Sequence, residues 1–285
     1  SVPKNDRFSA QVNWCASCGI PVFYENNSAG SGCKCPLCHG ETEYLSSDLR
    51  PVFPEERLLL ELLLEKESFS FASSSVWNSA NRYYIDGKSV AVSSSAFRNA
   101  DCDSLRKKLD EFSKENLEIS KKHFDSIIQK FIQANKSRFN SIKDEAFAFV
   151  QDEADKFVQK NGAGSENRMI VSFSGGKDST ATADIVVKAL GNPYITHLFG
   201  NTTLEFPMTT EYAERYRKAH PMAEFRIAQN TDQNFYEVCK EIGPPARMMR
   251  WCCSMFKTGP ITRVLNRKFG DKQILTFYGI RKNES

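Results

Sequence analysis

One stretch restricts the fold of this chain more than any other. The apolar run Met169–Phe173 ends abruptly in Ser-Gly-Gly-Lys-Asp-Ser, residues 174–179, and a helical pattern follows. A strand that turns through two glycines into a helix directs several backbone N–H groups, and the positive end of the helix dipole, at one spot. Gly175 and Gly176 have no Cβ, so an anion can approach the backbone closely, and Lys177 adds a cation. The sequence therefore predicts a phosphate-binding turn.

Strand and helix patterns alternate along the chain from residue 168 onward. Besides the first run, we predict strands at Tyr194–Phe199, Glu224–Ala228 and Ile274–Tyr278. The predicted helices cover Thr180–Leu190, Thr209–His220, Asn234–Ile242 and Lys257–Arg267. Apolar strands separated by helices of about ten to fifteen residues imply an α/β fold, with a parallel sheet covered by helices on both faces. Ligands of such sheets lie at the carboxyl ends of the strands.

Two cysteine pairs near the N-terminus have the spacing of a metal site. Nine cysteines occur in the chain, and five of them lie between residues 15 and 38. Sixteen residues separate two Cys-x-x-Cys turns, which are formed by Cys15, Cys18, Cys35 and Cys38. Each turn lets two thiolates meet one tetrahedral ion, so we predict a zinc ribbon whose metal is structural; a redox dithiol or an iron site is the alternative. Gly19 and Gly40 are expected to relieve the tight turns, and Cys33 and His39 are spare ligand candidates.

Residues 49–100 are predicted to form a small α+β region. Pro54 suits a helix start before a leucine-rich helix, and Asp86-Gly87 is typical of a hairpin turn between short strands. The aromatic and basic side chains of this region either stack on nucleic-acid bases or pack a small core; they are Trp77, Arg82, Tyr83 and Tyr84. The order of elements loosely resembles RNA-binding accessory regions of reductase-like proteins.

Residues 101–165 are predicted to be a helical connector. Apolar residues recur at steps of three and four from Phe124 to Val150, and we expect two helices with a break near residues 135–137. The apolar stripe of the region 115–160 needs a partner, which is the rest of the chain, another protein or a second copy of this chain. The predicted borders are thus 1–48, 49–100, 101–165 and 166–285.

The composition excludes few classes of protein. The chain is 40% hydrophobic and 26% charged with a net charge of +3, which permits a polyanionic partner without requiring one. It has no run of 18 apolar residues, so we predict no membrane span. The polar N-terminus lacks the apolar core of a signal peptide, and the clustered cysteines suit a reducing compartment; both features predict a cytoplasmic protein.

The turn after Phe173 resembles a known phosphate-binding loop. It lacks the spacing of a Walker loop. It resembles instead the PP-loop of the N-type ATP pyrophosphatases and of the phosphoadenosine phosphosulfate (PAPS) reductases, whereas the alternative is an ordinary Ser/Gly-rich turn. Three later segments resemble elements of the reductase family in the same order: residues 205–210 (Glu-Phe-Pro-Met-Thr-Thr), 250–260 and 279–285. Residues 201–203, Asn-Thr-Thr, depart from the family's Asp-Thr-Gly.

This resemblance, which covers residues 168–285, implies an adenine nucleotide as the ligand. The implied contacts are the loop and three later cations, namely Ser172, Ser174, Gly175, Gly176, Lys177, Asp178, Ser179, Thr180, Arg250, Lys257 and Arg281. Guanidinium groups bind phosphate or sulfate oxygens bidentately, and Asp178 would hold Mg²⁺ if the ligand is ATP. The residues we expect to act in catalysis are Lys177, Asp178, Cys252 and Cys253.

The adjacent pair Cys252-Cys253 leaves alternatives open. In iron–sulfur members of the family such a pair supplies half the ligands of a [4Fe–4S] cluster, and a later Cys-x-x-Cys supplies the rest. No second pair follows before Ser285. We therefore expect either further residues beyond Ser285 that complete a cluster in the full-length protein, or a redox dithiol, or a relic.

Three functions follow from the resemblance. The favoured one is binding of ATP, adenylation of a target with release of pyrophosphate, and sulfur transfer onto a nucleic acid or another macromolecule, because a zinc ribbon and an accessory region suit a large target. The second is reduction of PAPS or its 3′-dephospho analogue, which needs a nucleophilic cysteine on a C-terminal tail. The third is a non-catalytic nucleotide sensor in a multiprotein system.

Overall fold

The computed structural model describes residues 11–24, 33–79, 82–92, 101–103, 106–107 and 114–280. The chain divides into two compact units, which we call the N-terminal unit (Ser1–Ser141) and the C-terminal unit (Ile142–Ser285). The predicted division into four parts remains a prediction. Within the described residues, no helix combines the length and the apolar character that crossing a bilayer requires.

The described part of the N-terminal unit contains two antiparallel sheets, a short helix and the first part of a long helix. The first sheet has the order β2-β1-β3 and consists of β1 (Gln11–Cys15), β2 (Ile20–Tyr24) and β3 (Glu43–Ser46). The second has the order β4-β5-β6-β7 and consists of β4 (Arg50–Pro51), β5 (Val76–Ser79), β6 (Arg82–Ile85) and β7 (Lys88–Ala91). Helix α1 (Pro54–Leu63) has its proline in the first turn, as predicted. Asp86 (φ 48°) and Gly87 (φ 82°) form the predicted hairpin turn between β6 and β7.

The two sheets share one core. Trp14 and Cys15 of the first sheet cluster with Trp77 and Tyr84 of the second. Trp77 is 1% exposed and Tyr84 is 9% exposed, so these two aromatic side chains pack a core and do not offer their faces to bases. A Cβ at Gly87 would overlap the indole of Trp14, which shows how closely the hairpin turn approaches the first sheet.

Helix α2 (Lys114–Asn161) is continuous over 48 residues, and the predicted break near residues 135–137 is wrong. Asn135 interrupts the apolar stripe of this helix without interrupting its backbone. Its Oδ1 accepts a hydrogen bond from the N–H of Phe23 (2.7 Å), and its Nδ2 donates to the carbonyls of Pro21 (3.1 Å) and Phe131 (2.8 Å). The buried amide thus satisfies backbone groups of β2, which explains a polar residue in the stripe.

The C-terminal unit is built on a four-stranded parallel sheet, as predicted. The strands are β8 (Met169–Phe173), β9 (Thr196–Asn201), β10 (Glu224–Gln229) and β11 (Leu275–Phe277), in the order β10-β9-β8-β11. Between them run α3 (Lys177–Leu190), α4 (Pro207–Ala219), α5 (Phe235–Ile242) and α6 (Gly259–Phe269). A short 3₁₀ turn (Ser165–Arg168) precedes the sheet, and a π-helix (Cys253–Thr258) leads into α6.

Helices cover both faces of the sheet. Alternate residues of β8 point to opposite sides and pack in two different cores. Val171 and Phe173 belong to a core that includes α3, α4 and the last turns of α2. Ile170 belongs to a second core with Phe269 and other residues of α6. Because the four strands are parallel, their carboxyl ends all lie at one edge of the sheet, where the loops described next begin.

Candidate functional site

The strand order fixes where a ligand is expected. The chain passes from β8 to β9 and β10 on one side and then returns to β11 on the other side of β8. In open α/β sheets, ligands bind outside the carboxyl ends of the strands where the strand order reverses. Here that point lies between the carboxyl ends of β8 and β11. The predicted phosphate-binding turn follows β8 directly, and residues 278–280 follow β11.

Hydrogen bonds of Ser179 hold the loop in place. The Ser179 hydroxyl donates to the Gly176 carbonyl (2.9 Å) and accepts from the backbone N–H of Ser174 (3.1 Å). The side chains of Ser174 and Ser179 are also 3.1 Å apart. Ser179 is 7% exposed, whereas Ser174 and Gly176 are exposed. Ser179 therefore braces the turn from inside, and Ser174 lies on its open side.

The structure explains why glycine occupies both positions of the loop. Gly175 has φ 75°, a conformation that L-residues rarely adopt, and a Cβ there would lie 3.3 Å from Cγ2 of Thr209. Gly176 has φ −82° and precedes the first turn of α3 without any side chain capping the helix. The nearest atom to a Cβ at Gly176 is Oγ of Ser174 at 3.5 Å. The positive end of the α3 dipole therefore faces the open side of the loop.

Polar side chains of α3 surround this helix start. Lys177 Nζ lies 3.2 Å from Oδ1 of Asp178, with side-chain exposures of 70% and 41%. The Thr180 hydroxyl donates to the Gly176 carbonyl (3.0 Å) and accepts from the Tyr212 hydroxyl (3.3 Å). Ser172 lies half-buried within β8. These predicted residues are thus brought together by one strand, one turn and one helix.

The segment after β11 approaches the same helix start. A Cβ at Gly279 would lie 2.6 Å from Oγ1 of Thr182 and 2.7 Å from the backbone carbonyl oxygen of Asp178. Glycine is therefore required for this segment to pass against the first turns of α3. The predicted contact Arg281 follows within two residues but lies outside the described residues.

The remaining predicted residues lie at the carboxyl ends of β9 and β10. The π-helix packs against both strands, and the Nδ2 of Asn230, just after β10, donates to the Met255 carbonyl (3.3 Å). Cys252 and Cys253 are half-buried here. Arg250 and Lys257, on either side of them, are exposed. The structure thus places these four residues and the loop after β8 on the same edge of the sheet.

The only group of thiols with metal-site geometry among the described residues is at the other end of the chain. Cys252 and Cys253 belong to no group of three or more potential ligands there. Their proposed share in an iron–sulfur site stays a prediction.

A strained turn follows β9, which the sequence did not reveal. Thr203 has φ 63°, although it is β-branched, and it occupies the position where the reductase pattern has glycine. Its backbone N–H donates to Oδ1 of Asn201 (2.9 Å), and its hydroxyl accepts from the N–H of Phe235 (2.8 Å) at the start of α5. The departure from the family pattern therefore costs backbone strain and gains a contact to α5.

Two replacements of Thr203 should measure the cost of the backbone strain. Thr203→Gly relieves strain of about 1–3 kcal/mol and loses a hydrogen bond worth about 1 kcal/mol. Thr203→Val keeps the strain and, like Thr203→Gly, leaves the Phe235 N–H without its acceptor. Both variants lack the hydroxyl, so they differ in strain, and we expect urea unfolding to show the glycine variant more stable than the valine variant by about 1–3 kcal/mol. Equal stabilities would show that backbone strain at residue 203 does not determine the stability of this turn.

A second feature missed by sequence reasoning is a cleft between α3 and α4. Its volume is about 690 Å³, and it shares Gly175, Lys177 and Thr180 with the loop. Its wall includes Tyr216, whose ring lies 4.0 Å from that of His220. Burial raises the pKa of Tyr216 to about 12, so its phenol stays neutral. Tyr216 and His220 lie beyond the family-like segment 205–210 at the start of α4, so no sequence signal distinguished them.

The cysteine pairs form the predicted thiol cluster. The ligand atoms of Cys15, Cys18, Cys35 and Cys38 all lie within 4.8 Å of one another. The Sγ atoms of Cys15 and Cys38 are 3.5 Å apart and those of Cys35 and Cys18 are 3.9 Å apart. Four thiolates at about 2.3 Å from a tetrahedral zinc ion are about 3.8 Å apart, and a disulfide is far shorter at about 2.05 Å. The geometry therefore fits a tetrahedral metal ion.

Electrostatics also favour a cation in this cluster. Burial raises the pKa of the Cys15 and Cys18 thiols, so packing several thiolates here is unfavourable without a compensating charge. The exposed Cys38 differs: the backbone N–H of Gly40 is the main reason that its pKa is lowered to about 7. A divalent ion bound by the four sulfurs would supply the missing charge.

The two turns of the metal site have the same backbone geometry. The N–H of Gly19 donates to the Cys15 carbonyl and the N–H of His39 donates to the Cys35 carbonyl, both at 2.9 Å. Gly19 (φ 66°) and His39 (φ 58°) take the left-handed conformation. The expectation that Gly40 relieves the second turn is wrong, because His39 occupies the equivalent position. The cluster includes neither of the spare candidates, Cys33 and His39.

Comparison with known proteins finds similarity in the C-terminal unit. Residues 168–285 match the family described as phosphoadenosine phosphosulfate reductase domain. Uncharacterized protein MJ0066 of Methanocaldococcus jannaschii is 32% identical over 167 residues, which are 58% of this chain and 32% of that protein. Uncharacterized protein MJ0973 of the same organism is 26% identical over 158 residues, 55% of this chain and 35% of that protein. The chain thus spans about a third of the length of these curated relatives. Residues 168–285, which contain the parallel sheet and the turn after β8, are thus similar to phosphoadenosine phosphosulfate reductase domains.

Proposed function

We propose that the C-terminal unit binds an adenine nucleotide, with ATP favoured, and uses it to adenylate a target before sulfur is transferred onto a nucleic acid or another macromolecule. The observation that carries this proposal is the braced, glycine-rich turn at the start of α3, which lies beside the strand-order reversal. Backbone N–H groups and a helix dipole that meet at such a point suit a phosphate chain. The family match supports nucleotide binding.

Four of the predicted residues have a role in this reaction. Lys177, Arg250 and Lys257 would offset the negative charge of the phosphates. Asp178 would hold Mg²⁺, which prefers carboxylate and phosphate oxygens. An oxygen of the target attacks the α-phosphorus of ATP, the bond from that phosphorus to the bridging oxygen breaks, and pyrophosphate leaves. A sulfur nucleophile then displaces AMP from the adenylated target.

Calorimetry with ATP and with PAPS, followed by an assay of pyrophosphate release, tests this proposal. We expect ATP to bind with Mg²⁺, and we expect pyrophosphate release to require a macromolecular target. Tighter binding of PAPS than of ATP, with release of sulfite in the presence of a thiol reductant, would instead support the reductase alternative. Nucleotide binding without turnover of any tested target would support the sensor alternative.

The loop itself can be tested without loss of fold. In Gly176→Ala the new methyl group has room, because the backbone has φ −82° and the nearest atom is 3.5 Å away, yet it blocks the close approach of a phosphate. Lys177→Ala removes an exposed cation. We expect calorimetry to show at least a tenfold weaker ATP affinity for each variant, since bonds to charged groups contribute about 1.5–3 kcal/mol.

The matched control is Lys188→Ala at the other end of α3. Lys188 forms an ion pair with Asp184 (2.7 Å) and has a side-chain exposure of 61%, similar to that of Lys177. Its loss should leave ATP affinity unchanged. All three variants should keep the wild-type unfolding free energy within about 1 kcal/mol. If ATP binds Gly176→Ala and Lys177→Ala as tightly as wild type, this loop is not the phosphate site.

A further inference from the structure

Large apolar side chains are exposed in the segments that follow β9 and β10, at the starts of α4 and α5 and in the turn before the π-helix. Phe206 is 80% exposed, Met208 78%, Tyr236 63% and Met248 97%. We call these four residues the aromatic rim. Apolar side chains concentrated in this way on a protein surface mark an interaction site more often than isolated ones do.

Contacts beneath the rim connect the segments that carry it. The hydroxyl of Thr203, in the loop that leads to Phe206, accepts the N–H of Phe235, which precedes Tyr236. The Phe235 ring lies 5.1 Å from the Trp251 ring, in the segment that carries Met248. The indole Nε1 of Trp251 is buried and has no hydrogen-bond partner among the described residues. The segments that carry the rim are therefore fixed to one another by these contacts.

The charge of the neighbouring segment indicates the kind of partner. From Gly243 to Thr258, between α5 and α6, the sequence contains three lysine and arginine residues and no aspartate or glutamate. This segment alone carries a charge of +3, as large as the net charge of the whole chain. Arg247 and Arg250, next to Met248, are exposed. A positive segment beside exposed aromatic rings matches the pattern of surfaces that bind a nucleic-acid backbone and stack its bases.

We propose that the aromatic rim is a docking surface for single-stranded nucleic acid, with bases stacked on Phe206 and Tyr236 and phosphates bound by Arg247. The inference deepens the proposed function, on which it rests for the idea of a macromolecular target. A single strand is required because stacking on a protein ring needs an unpaired base face, which a duplex does not offer. The rim lies on the same edge of the sheet as the nucleotide loop, where an activated target is needed.

Fluorescence anisotropy with labelled oligonucleotides of about twelve nucleotides tests the inference. The probes are a single-stranded RNA, a single-stranded DNA of the same sequence and the corresponding duplex, titrated with the whole chain at several salt concentrations. We expect a single-stranded probe to bind more tightly than the duplex. Preference between RNA and DNA identifies the source of the strand.

Two sets of variants, one aromatic and one basic, provide the sharpest comparison. Tyr236→Ala and Phe206→Ala should each weaken single-strand binding about fivefold or more, whereas Tyr194→Ala should not. Tyr194 is 64% exposed, against 63% for Tyr236, but it precedes β9 and so lies toward the opposite edge of the sheet. Arg247→Ser should reduce the salt dependence by about one phosphate contact. Arg267→Ser, in the last turn of α6, should not.

The outcomes separate this inference from the proposed function. Single-strand binding weaker than about 10⁻⁴ M, or equal losses in Tyr236→Ala and Tyr194→Ala, would overturn the docking surface even if ATP binds. Binding to heparin as tight as to RNA, and unchanged by Tyr236→Ala, would also overturn it, because charge alone would then explain the affinity. Conversely, Tyr236-dependent binding in a protein that does not bind ATP would support the surface and reject the proposed function.

Discussion

Replacing Cys15 with serine is expected to abolish cooperative folding of the N-terminal unit. Cys15 and Cys35 are completely buried, and they belong to the same core as Trp14 and Trp77. A metal site inside a core links ion binding to folding. Apparent binding energies of structural zinc sites, about 10–16 kcal/mol, are comparable to the whole stability of a typical domain, about 5–15 kcal/mol. Removal of one thiolate should therefore cost most of the stability of this unit.

The change can be followed by near-ultraviolet circular dichroism and tryptophan fluorescence, because Trp14 and Trp77 lie in that core. Metal analysis of the purified protein should find about one zinc per chain, and a strong chelator should reproduce the effect of the substitution. Cys102→Ser is the matched control, since Cys102 is an exposed cysteine outside the thiol cluster. A Cys15→Ser protein with the metal content and melting temperature of Cys102→Ser would contradict the structural role of the metal.

The second large effect is expected at Gly279. In Gly279→Ala the new Cβ would be placed 2.6–2.7 Å from Oγ1 of Thr182 and the Asp178 carbonyl oxygen. That carbonyl belongs to the backbone of α3 and cannot rotate away, so residues after β11 must shift. Overpacking of this kind costs about 1–3 kcal/mol. ATP affinity should fall as well, because the displaced segment runs beside the first turn of α3.

Gly200→Ala is the matched control for this substitution. Gly200 lies in β9, and a Cβ there would meet Cδ1 of Ile261 at 3.5 Å, an ordinary van der Waals distance. We expect urea unfolding and calorimetry to show clear losses of stability and of ATP affinity for Gly279→Ala and small changes for Gly200→Ala. If the two variants behave alike, the close approach of the last segment to α3 has no role in the site.

The fold of the C-terminal unit could be predicted because local pattern and tertiary structure agree there. The strand Met169–Phe173 has its predicted bounds, and the other elements differ from their predicted bounds by a few residues. The two central strands, β8 and β9, are short and largely buried runs, and each helix presents one apolar stripe, so these elements are visible in the sequence. The glycines of the loop also have local causes, since they reflect one turn and one helix start.

The unpredicted features depend on residues far apart in sequence. Asn135 looked like a helix break because asparagine is a poor helix former. The groups it satisfies belong to Pro21 and Phe23, more than a hundred residues earlier. Thr203 looked like a simple departure from the family pattern, but its hydroxyl serves the start of α5. No short window of sequence contains either pair of partners.

The π-helix has a consequence for the adjacent cysteines. The N–H of Gly259 donates to the Ser254 carbonyl, five residues earlier, so this turn holds one residue more than an α-helical turn. Each helical residue advances the direction of its side chain by about 100°. Loss of one residue between Cys253 and Gly259 would therefore keep both cysteines, yet would swing Cys252 and Cys253 through roughly a quarter turn about the axis of α6. The number of residues in this segment therefore determines the direction in which the two thiols point. The length of the segment matters as much as the presence of the cysteines.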